Sequence, residues 1–105
     1  MGKKTPTQRS KEHLENLGWI VGVVEQTIPH TFIKRDLFGM FDLLAVKDEQ
    51  TMGIQVTSIS NITARVKKIT EEPRLAVVRK AGWIVMVHGW KQKEDEHILR
   101  EIDLS

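Results

Sequence analysis

The segment 36–58 has the alternation of apolar and polar positions that predicts two strands joined by a polar turn. Asp42 lies in the first predicted strand, 36–46, just before its most apolar part. In the second strand Gln55 and Thr57 share one face and the apolar residues beside them share the other, because strand side chains alternate. If the two strands pair, Asp42, Gln55 and Thr57 converge at one edge of a sheet.

Three other short segments predict further strands, because they are apolar or alternate in polarity. They are 19–24, 83–88 and 97–104. The first two are apolar on both faces, which indicates a central sheet covered by helices. Residues 25–34 contain Pro29 and predict a loop or an irregular hairpin.

Three helices are predicted from apolar residues spaced three and four positions apart and from the helix-ending residues around them. They cover about 7–17, 59–69 and 74–80. Thr7 or Ser10 is the expected cap of the first helix, and Ser58 or Ser60 that of the second. The element order is then α-β-β-β-α-α-β-β, which predicts an α/β fold with a central mixed sheet flanked by helices.

The length of 105 residues predicts a single domain, here 7–105, after a disordered basic leader at 1–6. Cysteine is absent, which excludes disulfides and thiolate chemistry. No apolar run approaches the roughly 18 residues of a membrane span, so we expect a cytoplasmic protein with no membrane partner. Glycine-rich phosphate loops, GxSxG and HExxH are also absent. The histidines lack metal-ligand spacing, and only His88, at the end of an apolar strand, is a candidate for a functional role.

The net charge is only +2, but the basic residues are clustered. The clusters are Lys3, Lys4, Arg9 and Lys11; Lys34 and Arg35; Arg65, Lys67 and Lys68; and Arg74, Arg79 and Lys80. Each cluster alone is also what a solvated surface shows. Several of them flanking one candidate site favour a polyanionic partner.

Carboxylates at a strand end are the oxygen ligands that a hard cation such as Mg²⁺ prefers. Such an ion polarises a phosphodiester and lowers the pKa of water. The arrangement of Gly39-Met-Phe-Asp42 on one strand and Ile54-Gln55-Val56-Thr57 on the next resembles the PD-(D/E)XK nuclease superfamily. Within it, the chain is most similar to small archaeal Holliday-junction resolvases and virus-type replication-repair nuclease domains, over about residues 12–104.

The resemblance implies a restriction-endonuclease-like fold and Mg²⁺- or Mn²⁺-dependent hydrolysis of DNA, including structured or branched DNA, by a homodimer. Asp42 matches the metal-binding aspartate of those families. Gln55 stands where they have a second acidic ligand, and Thr57 where they have the catalytic lysine.

Because related nucleases move a missing group to a neighbouring helix, the resemblance offers substitutes from nearby elements. Arg65, Lys67 and Lys68 are the candidate cations, with Arg65 and Lys68 favoured because they lie on the polar side of the predicted helix. Glu12, Glu15 and Asp36 are the candidate additional carboxylates. Lys34 and Arg35, before Asp36, are either a salt-bridged loop or an arm that contacts phosphates, as the cations of the second helix would also do.

Two other functions fit the same residues. The changes at Gln55 and Thr57 allow a nuclease fold that has lost catalysis and serves as a DNA-binding or assembly module. The mild net charge allows a protein-interaction domain with no role in nucleic-acid binding. An exposed Trp90 is expected to contribute to a dimer interface.

Overall fold

The computed structural model describes residues 4–105 and contains a mixed five-stranded sheet with helices on both faces. Its helices are α1 (Pro6–Asn16), α2 (Ile62–Thr70) and α3 (Arg74–Lys80), with a 3-10 turn at Ile59–Asn61 before α2. Its strands are β1 (Ile20–Val23), β2 (Gln26–Thr27), β3 (Lys34–Arg35), β4 (Leu43–Lys47), β5 (Gln50–Ser58), β6 (Ile84–Lys93) and β7 (Glu96–Asp103). The predicted α/β architecture with a central mixed sheet is confirmed.

The sheet has the strand order β1-β4-β5-β6-β7. Strands β5 and β6 are parallel, and every other neighbouring pair is antiparallel. Strands β2 and β3 form a separate two-stranded ribbon over residues 26–35, where the segment 25–34 was predicted as a loop or irregular hairpin. No helix among residues 4–105 is long and apolar enough to cross a membrane.

The two faces of the sheet have separate apolar cores. Helix α1 contributes Leu14 to one face, where it belongs to a cluster with Leu43 and Ile54 of the central strands. Helices α2 and α3 cover the other face, where Ile69 and Leu75 are among the buried residues. The sheet is therefore buried on both sides, as its apolar strands require.

Helix α1 begins earlier than predicted. Thr5 is its cap: the Thr5 hydroxyl accepts from the backbone N–H of Gln8, and the Gln8 side chain accepts from the backbone N–H of Thr5. This reciprocal pair with Pro6 in the first turn is a strong start signal, so the caps predicted at Thr7 and Ser10 are wrong. Of the leader predicted at 1–6, residues 1–3 lie outside the described residues, and Thr5 and Pro6 form the start of α1.

Strand β6 does not end at His88 as predicted but continues through Gly89 to Lys93. The glycine allows a helix to approach rather than ending the strand, because a Cβ at Gly89 would overlap the side chain of Ile62. Helix α2, preceded by the 3-10 turn, can therefore lie close to β6. Neither Ser58 nor Ser60 makes the predicted cap hydrogen bond; their hydroxyls lie 3.0 Å from each other instead.

The first half of the predicted strand 36–46 is a tight turn. Leu37 and Phe41 exchange backbone hydrogen bonds of 2.8 and 3.0 Å across residues 38–40. Gly39 has φ +69°, and Phe38 takes a similar left-handed conformation. The turn places Asp36 and Asp42, the residues flanking this pair, side by side.

Candidate functional site: an acidic cleft at the start of β4

Three carboxylates converge where β4 begins. One oxygen each of Glu25, Asp36 and Asp42 lie within 4.8 Å of one another. The turn just described supplies Asp36. Glu25 lies two residues after β1, and the N–H of the intervening Val24 donates to the carbonyl of Asp42 at 2.9 Å. Antiparallel pairing of β1 with β4 thus brings the end of one strand to the start of the other.

Gln55 fixes the orientation of the Asp42 carboxylate. Residue 42 lies across from residue 55, one position beyond the last paired residues of β4 and β5. Oδ2 of Asp42 accepts from Nε2 of Gln55 at 2.6 Å and from the backbone N–H of Val56 at 2.8 Å. One carboxylate oxygen is therefore held by two donors, and the other is not engaged by them.

The environment of Asp42 opposes its ionisation. Burial raises the pKa of Asp42 to about 7, and the nearby carboxylates of Asp36 and Glu25 act in the same direction. The hydrogen bond from Val56, which lowers the pKa, does not compensate. Below about pH 7 the Asp42 carboxyl therefore carries a proton, and a positive charge placed beside it would release that proton.

Lys68 of α2 reaches the same cleft. Its Nζ donates to Oδ2 of Asp36 at 2.8 Å and lies 3.3 Å from Oε1 of Gln55. Burial raises the pKa of Asp36, but the hydrogen bond and charge of Lys68, with hydrogen bonds from Asp42 and Gln55, outweigh it and lower the pKa overall. Asp36 is thus the ionised partner of Lys68, and Asp42 is the carboxyl without a cation of its own.

Two more cations line the cleft, which has a volume of about 280 Å³. Lys34 forms an ion pair with Glu25 at 3.1 Å, and Arg65 lies one helical turn before Lys68 on α2. The lining residues are Glu25, Lys34, Asp36, Asp42, Gln55, Val56, Arg65 and Lys68. The cleft thus has carboxylates gathered in one group and ammonium or guanidinium groups beside them.

The structure places some of the site residues predicted from the sequence in the cleft and others outside it. Asp42, Gln55, Asp36, Lys34, Arg65 and Lys68 are brought together in the cleft, whereas Thr57, Arg35, Lys67, Glu12 and Glu15 do not line it. Thr57 is buried further along β5, and Lys67 and Arg35 are exposed. Glu12 and Glu15 lie on α1 and form ion pairs with Lys4 and Lys11 at 2.6 and 2.9 Å.

Glu25 is the site residue that the sequence reading missed. It was assigned to a loop, although it directly follows the apolar strand segment 19–24. Asp42 directly precedes the apolar run 43–46. One acidic residue therefore follows an apolar strand segment and the other precedes one. In antiparallel neighbouring strands such positions meet, and this signal would have identified Glu25 once β1 was paired with β4.

The donor set of the cleft fits a hard divalent cation. The three converging groups are carboxylates, which offer oxygen, while Gln55 turns its Nε2 to Asp42 and its amide oxygen to Lys68. The raised pKa of Asp42 also favours a bound cation, since a buried carboxyl without an ion-pair partner is stabilised in its ionised form by a nearby positive charge. Nitrogen and sulfur ligands, which softer metals select, are absent from the residues lining this cleft.

A second buried polar group, the Ser10 cluster, lies on the α1 side of the sheet and comprises Ser10, His88, Trp90 and Glu101. The Ser10 hydroxyl lies 2.9 Å from Nδ1 of His88 and accepts from Nε1 of Trp90 at 2.8 Å. Nε2 of His88 lies 3.3 Å from Oε2 of Glu101. His88 is completely buried, and burial lowers its pKa to about 4.

Trp90 is therefore not the freely exposed residue that the sequence suggested. It is partly buried against the α1 core and is held by its hydrogen bond to Ser10. Its ring also meets that of His13 edge to face, with 6.4 Å between the centroids. Its first role is to dock α1 on β6.

Comparison of the chain with protein-family models, with curated proteins and with solved structures finds no match in any of the three.

Proposed function

We propose that this chain is a divalent-metal-dependent nuclease that hydrolyses DNA phosphodiesters in the acidic cleft. The observation that carries the proposal is the convergence of Glu25, Asp36 and Asp42 within 4.8 Å beside a lysine ammonium. Carboxylates gathered in a cleft, with a cation next to them, are the combination that phosphodiester hydrolysis requires. The match of Asp42 to the metal-binding aspartate of the PD-(D/E)XK pattern supports the same activity, although Gln55 replaces the second acidic ligand of that pattern.

The residues of the cleft have separable tasks in this proposal. Glu25, Asp36 and Asp42 would hold Mg²⁺ or Mn²⁺, and Gln55, whose Nε2 donates to Asp42, would position that ligand rather than serve as one. When bound, the ion supplies Lewis-acid chemistry: it lowers the pKa of water and offsets charge on the phosphate. The hydrogen bonds from Gln55 and Val56 hold the Asp42 carboxylate in a fixed orientation, so that little reorganisation is needed on binding.

Lys68 replaces the catalytic lysine of the motif, because Thr57, which stands at that position, carries no positive charge. Its ammonium is fixed by Asp36 and Gln55, so it offers positive charge at the cleft to the phosphate oxygens that gain charge in the transition state. Arg65 and Lys34, which line the same cleft, bind the substrate's phosphates.

The proposal is tested by incubating the purified chain with labelled duplex, single-stranded and four-way-junction DNA in Mg²⁺ or Mn²⁺. We expect cleavage that a chelator abolishes. Asp42→Asn should lower the rate by roughly a hundredfold or more, since even residues that only support metal ligands cost about 10- to 100-fold. The matched control is Asp48→Asn in the exposed β4–β5 turn, which should cleave like wild type. Absence of metal-dependent cleavage, or equal rates for the two variants, would contradict the proposal.

A second candidate is a DNA-binding or assembly module without catalysis. Its specific support is that Lys68 already neutralises Asp36, while Gln55, in place of an acid, donates to Asp42. This candidate predicts DNA binding that weakens with salt but is indifferent to chelator and to Asp42→Asn. Binding that depends on Mg²⁺ and on Asp42 would contradict it.

A further inference from the structure

The segment between two residues of the acidic cleft is a projecting arm. Glu25 precedes it and Asp36 follows it, and the intervening ribbon pairs Gln26 with Arg35 and Thr27 with Lys34. We call residues 26–35 the hairpin arm. Because both of its ends are anchored by residues of the cleft, whatever the arm touches is placed at a fixed distance from the carboxylates.

An aromatic side chain is fully exposed at the tip of this arm. Phe32 has a relative exposure of 104%, the highest among the exposed large hydrophobic residues, and its neighbour Ile33 is also exposed. Single exposed apolar residues are ordinary on protein surfaces. Phe32 differs because it stands beside the basic residues Lys34 and Arg35 and outside both apolar cores.

The tip is held in this outward conformation by its own hydrogen bonds. The N–H of Ile28 donates to the carbonyl of Ile33 at 2.9 Å, which closes the loop. The Thr31 hydroxyl donates to the Ile28 carbonyl at 2.8 Å and accepts from the N–H of Ile33 at 3.2 Å. His30 takes the left-handed conformation, with φ 64°. The turn is thus pinned on both sides of Phe32 while the ring itself points to solvent.

We propose that the hairpin arm is a strand-separating element whose Phe32 ring stacks on an unpaired base of the nucleic acid held in the cleft. This inference rests on the proposed function and specifies its substrate: DNA with splayed or unpaired bases. An aromatic ring flanked by cations is the usual platform for single-stranded nucleic acid, because the ring stacks on a base while the cations meet phosphates. Lys34, which lines the cleft, and Arg35, on the arm itself, supply those cations.

The reach of the arm agrees with this substrate. Phe32 is four residues before Asp36, so the chain between their Cα atoms spans at most about 13 Å. Along one strand of a stacked duplex this is at most about four nucleotides at ~3.4 Å each. An intact duplex keeps its bases stacked inside and presents only their edges, so the ring gains a base face only where the strands part.

The test compares binding to a forked DNA with splayed single-stranded ends and to the fully paired duplex of the same sequence. The variants are Phe32→Ala, Phe32→Trp and, as a matched exposed apolar control on α3, Val77→Ala. Binding is followed by fluorescence anisotropy with Ca²⁺ in place of Mg²⁺. Stacking is followed by quenching of 2-aminopurine placed three or four nucleotides, about one arm length, into the unpaired end.

We expect Phe32→Ala to weaken binding to the fork by roughly tenfold and to abolish the quenching, as loss of one base–aromatic stack would. Duplex binding should change by less than about twofold, Phe32→Trp should retain both signals, and Val77→Ala should behave like wild type. Equal loss on fork and duplex, or no loss on either, would overturn the inference.

Failure of the arm and failure of the nuclease give different results. Wild-type protein that binds forks through Phe32 but cleaves no DNA in Mg²⁺ or Mn²⁺ overturns the proposed function and retains the stacking arm. Metal-dependent cleavage that is unchanged on every DNA by Phe32→Ala, together with unchanged fork binding, overturns the arm and retains the nuclease. Phe32 makes no core contact, so its replacement is not expected to affect folding.

Discussion

The acidic cleft and the Ser10 cluster both place ionisable side chains in buried positions beside neighbouring central strands, but on opposite faces of the sheet. In the Ser10 cluster Trp90 donates to Ser10 and the Ser10 hydroxyl can donate to His88, whereas Nε2 of His88 lies 3.3 Å from Glu101 without making a hydrogen bond. In the cleft, three carboxylates share one ammonium contact and an ion pair with Lys34. Of these three carboxylates, Asp42 is the one that makes no ion pair.

We infer from this difference that the Ser10 cluster stabilises the fold, whereas the acidic cleft binds a ligand. Burial keeps His88 neutral, with a pKa of about 4, so the Ser10 cluster costs no buried charge. Burial and like charges raise the pKa of Asp42 to about 7, so the cleft tolerates its own ionisation poorly. Removal of a group should therefore harm stability in the Ser10 cluster and activity in the cleft.

The largest effect is expected from removing Lys68, whose ammonium contacts Asp36 in the cleft. Lys68→Met should lower the rate of DNA cleavage between roughly a hundred- and a thousandfold, as loss of one transition-state donor does. Lys67→Met, at the adjacent exposed position, is the control and should lower the rate by less than about tenfold, because Lys67 does not line the cleft. Single-turnover cleavage measured for both variants decides the matter. Equal losses would show that the position of Lys68 has no special role.

The opposite pattern is expected for the Ser10 cluster. His88→Ala removes a completely buried ring and leaves Ser10 without one partner, which should lower the free energy of unfolding by about 3 kcal/mol. Cleavage per folded molecule should not change. Chemical denaturation and an activity assay at low temperature test the two statements, and an activity loss in fully folded His88→Ala protein would break the contrast between the regions.

The pH dependence of stability should also differ in sign between the regions. The pKa of Asp42 is raised above its usual value of 3.8, so its contribution to stability is complete below that value and is lost as pH rises through about 7. The pKa of His88 is lowered from 6.5, so its contribution is present above 6.5 and is lost as pH falls through about 4.

In a chelator, Asp42→Asn should therefore be more stable than wild type at about pH 8, by ~1–2 kcal/mol, and should lose this advantage as pH falls to about 3.8. The expected gain in the free energy of unfolding is smaller than the pKa shift of Asp42 alone would give. The reason is that Asp42 helps to lower the pKa of Asp36, and this stabilising effect is lost in the variant. Urea denaturation at both pH values provides the measurement. A variant less stable than wild type at the higher pH would show that Asp42 serves the fold, as His88 does.

The smallest effect is expected at Ser10. Ser10→Ala leaves the indole N–H of Trp90 without its acceptor and should lower the free energy of unfolding by about 1 kcal/mol. Ser10→Thr keeps the hydroxyl and serves as the matched variant. Thermal denaturation of the two should place alanine below threonine, and the reverse order would mean that shape outweighs the hydrogen bond.

The sequence predicted those residues of the cleft whose positions depend on a single hairpin or a single helix. Alternation along the second strand predicted that Gln55 and Thr57 converge with Asp42, and Gln55 does so. Helical spacing favoured Lys68 over Lys67, and Lys68 lines the cleft. Glu25 escaped because its position depends on β1 pairing with β4, a contact between strands separated by the hairpin arm. Pairing of distant segments is not visible in the pattern of either segment alone.

The same limit explains the errors in the fold. Gly89 was taken as the end of a strand, because glycine usually interrupts one, whereas its missing side chain makes room for Ile62 of α2. The turn before Asp42 was read as strand, because residues 37–41 are largely apolar. Those residues are apolar since Met40 and Phe41 enter the core under α3, which only the tertiary structure reveals.

The central claim is that Glu25, Asp36 and Asp42 together form a divalent-metal site. Crystals grown with Mn²⁺ and measured at the manganese absorption edge test it most directly, because anomalous scattering locates the ion independently of activity. The account predicts an anomalous peak among these three carboxylates in the wild type and its loss in Glu25→Gln crystals prepared in the same way. A fully active protein with no peak at this position, or with its only peak elsewhere, would contradict it.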